Sequence, residues 1–214
     1  MTMRHHFEIC IALVLVTLPL SACGRETEPR QVEEARFAGA AIPDDPAWAP
    51  ALVQARGTAD ALSTDLAGLV MSTLQEQGPV AAVEVCSTVA QQRTADHAAA
   101  GVAVRRVSER LRNPLNAPDA WEARELEEMA RLQEGGESPA EVIAIFRRGD
   151  ARTLRYLRPI TAAAPCMACH GQPSEIAPEV AEILRARYPE DRATGYRAGD
   201  LRGAVSVEVD LAPT

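Results

Sequence analysis

The sequence predicts an α+β domain, with helices first and then an antiparallel sheet carrying inserted helices. Three observations predict it. Leu62, Leu66, Leu69, Val70 and Leu74 recur at helical steps early in the chain. Val205, Val207 and Val209 alternate strictly near its end. Between these lie a charged amphipathic stretch and several short β-rich runs, so the apolar period switches more than once.

The N-terminus comes before this domain. Arg4-His5-His6 is a polar, weakly basic start, and Ile9 to Leu18 is an apolar run too short to span a bilayer comfortably. The run ends at Leu20-Ser21-Ala22-Cys23, the form of a secretory signal. Leu-Ser-Ala-Cys resembles a bacterial lipobox, which implies a signal peptide over residues 1–22 and a lipidated Cys23 as the mature first residue. Ordinary cleavage near Ala22 and an uncleaved N-terminal anchor are the alternatives. Gly24, in place of an aspartate, leans toward the outer membrane, with the protein on the periplasmic side. Residues 23–50 then read as a lipidated start and flexible tether, acidic and proline-rich (Glu33, Glu34, Pro43, Asp44, Asp45, Pro46), leaving 51–214 as one domain.

Within the domain, Leu52 to Glu76 predicts a helix ended by Gly78-Pro79, and Pro79 opens a second helix running to about Ala99. Val102 to Val107 alternates as a strand, and Arg112-Asn113-Pro114-Leu115-Asn116 is a turn cluster. Pro118-Asp119 starts a charged helix to Gln133, closed by Gly135-Gly136. Val142 to Phe146 and Leu154 to Thr161 predict strands, Ile176 to Arg187 a short helix, Gly195 to Gly203 a loop, and Ala204 to Leu211 a final strand. The chain has a net charge of −8, which argues against nucleic acid as a partner. Its basic residues are all arginine.

Cys166-Met167-Ala168-Cys169-His170 carries the chemistry. Cys-x-x-Cys-His is the attachment pattern of a c-type haem. Two thiols two residues apart reach the vinyl groups along one edge of the macrocycle, and the next residue brings an imidazole to the iron. A zinc site would need a second ligand pair at similar spacing, which the sequence lacks. A thioredoxin-like dithiol would open a helix after a strand, whereas Gly171-Gln172-Pro173 follows here. One covalently attached haem c is therefore expected, with a disulfide or dithiol as the alternative.

Of five cysteines, Cys10 leaves with the signal, Cys23 takes lipid and Cys166 and Cys169 take haem, so Cys86 stands alone. It has two readings: a small buried core thiol, or a thiolate ligand opposite His170. Its helical face, shared with Val83, Val89 and Ala90, suits either. Competitors for the iron are few. The mature chain has one other histidine, His97, beside a helix end. Met71 and Met129 lie in helical apolar patterns that suit core packing. Arg155 and Arg158, just before the attachment loop, are candidate contacts for the haem propionates, with Arg202 a third; solvated surface arginine is the bland reading for each.

Taken in order, these segments resemble a bacterial c-type haem family of PAS-like fold, known from cyanobacteria and long classed as a domain of unknown function. The resemblance runs through Gly78-Pro79 to Val85-Cys86, Arg112 to Asn116 with Trp121-Glu122, and Cys166 to Gly171. It continues through Tyr188-Pro189 with Asp191, and Gly199-Asp200-Leu201-Arg202-Gly203. It implies a PAS-like sheet and iron held by His170 and Cys86. A six-coordinate His/Cys iron leaves no open position, so redox or gas sensing, or electron transfer with a protein partner, is expected over catalysis. A pentacoordinate haem enzyme such as a peroxidase is the alternative.

Overall fold

The computed structural model describes residues 31–38, 45–137 and 139–212. The signal peptide and Cys23 lie outside the described residues. Five strands, β1 (Gln31–Ala38), β2 (Val102–Val107), β3 (Val142–Arg148), β4 (Ala151–Thr161) and β5 (Leu201–Leu211), form one antiparallel sheet in the order β1-β3-β4-β5-β2. Six helices accompany it: α1 (Ala49–Gln77), α2 (Pro79–Thr88), α3 (Ala90–Asp96), α4 (Ala120–Glu134), α5 (Met167–His170) and α6 (Pro178–Arg187). The α+β class expected from the sequence is the one observed.

Strand alternation divides the sheet into two buried faces. Ile143, Ile145, Leu154, Tyr156, Val205, Val207 and Val209 face α1, whose Leu52, Ala55, Ala59, Leu62 and Leu66 close that core. The alanines, fully buried, let the long helix lie close on the sheet. The opposite face carries Val107, Val142, Ala144, Phe146, Leu157 and Ala204 against Trp121, Leu126 and Met129 of α4. A third, smaller apolar cluster joins α2 to α6 through Val83, Ile176, Val180, Leu184 and Tyr188. Among the described residues no helix is long and apolar enough to cross a membrane.

Two expectations need correction. Part of the expected tether, Gln31–Ala38, is strand β1, hydrogen-bonded to β3; charge and proline nearby hid a segment whose pairing partner lies more than a hundred residues away. The second helix also breaks at Val89 into α2 and α3. Ser87 Oγ and Thr88 Oγ1 both donate back to the Glu84 carbonyl, at 2.9 and 2.8 Å, a local competition with the helical ladder that bends helices.

Helix α4 begins with a capping box. Asp119 Oδ1 accepts from the Trp121 and Glu122 amides, and Glu122 Oε2 accepts from the Asp119 amide at 2.8 Å. Glu122 is fully buried and also accepts from Arg105, Arg155 and the Ser206 hydroxyl. Glu122→Ala should therefore cost about 3 kcal/mol or more by leaving Arg155 buried without its central partner. Chemical denaturation checks this; a loss below about 1 kcal/mol would show that Asp119 and Glu208 suffice.

Candidate functional site

Strand β4 hands the chain to a 3-10 turn at Ala164–Cys166 and then to the single helical turn α5. This geometry puts Cys166, Cys169 and His170 at positions i, i+3 and i+4, on one side of the turn. Gly171 ends it. A Cβ there would stand 2.6 Å from the Met167 carbonyl oxygen, so only glycine lets the chain leave α5 along this path. The three thiols Cys86, Cys166 and Cys169 are unbridged and each is half-buried.

His170 is held at both ends. Its Nδ1–H donates to the Ala193 carbonyl at 2.7 Å, and its own carbonyl accepts from the Tyr196 amide at 2.9 Å. The Tyr196 ring meets the imidazole edge-on, with centroids 6.1 Å apart. With Nδ1 committed as donor, Nε2 carries the lone pair. Arg112 Nη1 approaches that nitrogen at 3.4 Å.

Arg112 organises the loop that holds His170. It donates to the Cys169 carbonyl at 2.6 Å and pairs with Asp191 Oδ2 at 3.0 Å. Asp191 Oδ1 in turn accepts from the Ala193 amide at 2.8 Å, fixing the residue whose carbonyl receives Nδ1. Burial holds the imidazole well below its ordinary pKa, and the Arg112 and Arg202 cations lower it further. It is therefore neutral at pH 7.

Cys86 lies on α2, which packs against both α5 and α6. Cys169 joins the edge of the apolar α2–α6 cluster. Burial pushes the Cys86 thiol up, opposed by the positive charges of Arg106, Arg112 and Arg202. The Cys169 thiol is likewise raised by burial, opposed by Arg112. Among the described residues no three Cys, His, Asp or Glu side chains converge as a protein-only metal centre would require.

The other sequence candidates sit elsewhere. Arg155 is 2 % exposed on the α4 face, bonded to Glu122, Asp119 and Glu208 and lying 4.4 Å from the Trp121 ring. Arg158 leaves the opposite face and pairs with Asp60 of α1. Both are held by these carboxylates instead of contacting the cysteines. His97 pairs with Asp65 at 3.2 Å, and Met129 is core. Arg202 does come to the site. Sequence reasoning missed Arg106, and saw Arg112 and Asp191 only as motif positions. Their separation in the chain, 79 residues, hides the ion pair between them.

The Tll0287-like family model matches residues 41–210, and the chain belongs to that family. Its fold is similar to that in the crystal structure of the cyanobacterial heme-protein Tll0287, with 26 % identity over 79 % of this chain and 97 % of that one, and a TM-score of 0.54. No curated protein matches. The family resemblance read from the sequence is thus borne out.

The depressed pKa of His170 has a stability consequence for the chain without cofactor. The unfolded imidazole takes a proton near pH 6.5 while the folded one does not, so stability should fall as pH drops below about 6.5 and continue falling to the folded pKa. Urea melts from pH 7.5 to 5 should show this slope, flatter in His170→Asn. An equal slope in both would assign it to other groups.

Proposed function

We propose that this chain is a periplasmic, lipid-anchored haem protein, with haem c bound covalently through Cys166 and Cys169 and iron ligated by His170 and Cys86. It acts in electron transfer or in redox or gas sensing. One observation carries the reading: the two thiols and the imidazole share one side of a single helical turn, and the imidazole Nδ1 is already committed to Ala193, which leaves Nε2 for iron. The similar cyanobacterial structure is of a heme-protein, which agrees.

The residues present fit such a group. Val83, Val180 and Leu184 offer an apolar wall beside Cys169. Ligation through Nε2 takes from Arg112 only its longest contact, at 3.4 Å, while its bonds to Cys169 and Asp191 remain. Arg106 Nε is buried without a hydrogen-bond partner among the described residues, an orphan donor that an anionic ligand would satisfy. A bound haem supplies a one-electron iron couple. The protein's part is to orient the imidazole through Ala193, to exclude water along α2 and α6, and to offer Cys86 from the facing helix. A thiolate ligand stabilises ferric iron and gives a low potential. Two protein ligands disfavour oxygen activation, which sets the pentacoordinate enzyme below the redox roles. The membrane anchor is the lipid on Cys23.

Expression in a host with working haem maturation tests this. The wild type should give a c-type pyridine haemochrome, and Cys166→Ala/Cys169→Ala should lose covalent haem; haem-free wild type would sink the proposal and revive the dithiol reading. Ferric EPR should show a low-spin thiolate signal that Cys86→Ser abolishes, whereas an unchanged spectrum removes Cys86 as ligand. Ready CO or NO binding to the ferrous protein favours sensing, inertness favours electron transfer, and peroxide turnover favours the enzyme. Cys23→Ser should release the protein from membranes.

A further inference from the structure

The site is basic within an acidic protein. The chain carries −8 overall, yet Arg106, Arg110, Arg112 and Arg202 converge here, and among the described residues the one carboxylate in ion-pair contact with any of them is Asp191, taken by Arg112. Arg110 is satisfied by the Thr194 carbonyl and lies over the Tyr196 ring. Arg106 and Arg202 have no carboxylate partner among the described residues.

Their placement follows from the sheet. Arg106 stands opposite Val205, and directly paired residues share a face, so it leaves the sheet on the side of α1 and α2 while Arg105 crosses to Glu122. Arg202 occupies a bulge, where the register jumps from Gly203↔Ile160 to Leu201↔Thr161, so it projects out of the ladder. Gly203, at φ 153°, makes that bulge possible, because a Cβ there would collide with the Val107 carbonyl. Arg202 Nη1 then donates to Ser108 Oγ at 2.7 Å, two residues beyond Arg106, and its guanidinium sits 5.4 Å from the Tyr196 ring beside His170. Both guanidiniums thus lie at one end of the β2–β5 pair.

We propose that Arg106 and Arg202 are the carboxylate anchors of the site and pair with the haem propionates. The proposal rests on the haem reading above. Arg106 Nε is an orphaned donor, and the Arg202 guanidinium is bound only to neutral groups, the Ser108 hydroxyl, the Arg110 carbonyl and Tyr196, so both are forked cations suited to carboxylates. Two arginines match two propionates. A haem's propionates lie on the edge opposite the vinyl groups that take the thiols. Arg106, Arg112 and Arg202 all act electrostatically on Cys86, and of the three only Arg112 acts on Cys169.

The test uses haem-loaded full chain bearing R106Q or R202Q, with R148Q, an exposed arginine at the β3–β4 turn and the end of β4 remote from the attachment loop, as control. Pyridine haemochrome should show wild-type attachment in all three. In R106Q and R202Q the midpoint potential should shift downward, because a cation near the iron is lost. It should also become more strongly pH-dependent around neutrality, because an unpaired propionate titrates higher. Their propionate-bending bands in resonance Raman should move, and R148Q should match wild type in each measurement. R106K and R202K should restore the potential without restoring the bands. They carry the test if a glutamine variant does not fold, an unmoved band then overturning the proposal. Loaded glutamine variants with unchanged potential, pH profile and bands overturn the propionate assignment alone; a wild type that binds no haem overturns the haem reading with it.

Discussion

The site depends on one buried ion pair. Arg112 and Asp191 bring together two loops far apart in sequence, and their side chains are only 9 % and 11 % exposed. A desolvated pair of this kind contributes little net stability but is costly to break from one side. What it contributes is position. One carboxylate oxygen holds Arg112 and the other holds the Ala193 amide, so the Ala193 carbonyl has no freedom to drift from Nδ1. Arg112 also ties the Cys169 carbonyl, which clamps α5 itself. His170 is therefore fixed in tautomer and ring orientation by contacts that trace to these two residues, while the Tyr196 amide holds its carbonyl.

The rest of the fold separates a rigid platform from a lighter appendage. The sheet is buried on both faces, under α1 and α4, and β5 is flanked by β4 and β2. His170 and the arginines hang from this platform through β2, β4 and β5. Cys86 does not. It belongs to α2, which packs against α1 and shares a small apolar cluster with α6, together with an Arg187–Glu84 pair on the surface. Exposed pairs of that kind are worth little, so α2 draws on fewer buried contacts than α1 or α4. The break at Val89 gives it a direction independent of α3, whose Ala90 is part of the main core.

Much of this was legible in the chain. Alternation at Val205, Val207 and Val209 marked the final strand, and Pro118-Asp119 marked the start of α4, because these signals are local. Cys166 to His170 could be read because its spacing is itself the geometry. The errors share another cause. Whether Arg155 or Arg106 reaches the site depends on strand register and on which face each position takes, and a one-residue change reverses the answer. Arg155 lay nearer the motif in sequence but points to Glu122, whereas Arg106, sixty residues upstream of the motif, points toward Cys86. Arg202 depends on a bulge that no composition or period reveals.

Opposing charge effects meet at Cys86. Burial alone disfavours a thiolate, and it is the larger effect, so the thiol of the bare chain stays protonated. Three arginines work against burial, and burial weakens two of them, lowering the proton affinity of Arg106 and Arg202 as well. A protein seldom keeps desolvated cations facing a desolvated neutral thiol unless anions are to join them. Propionates at Arg106 and Arg202 together with a metal-bound thiolate at Cys86 would bring the buried charges into balance. Arg112 needs no such partner, because Asp191 already neutralises it. The arginines therefore serve two ends. The paired one positions His170, and Arg106 and Arg202, with no carboxylate partner among the described residues, are the ones proposed to meet the propionates.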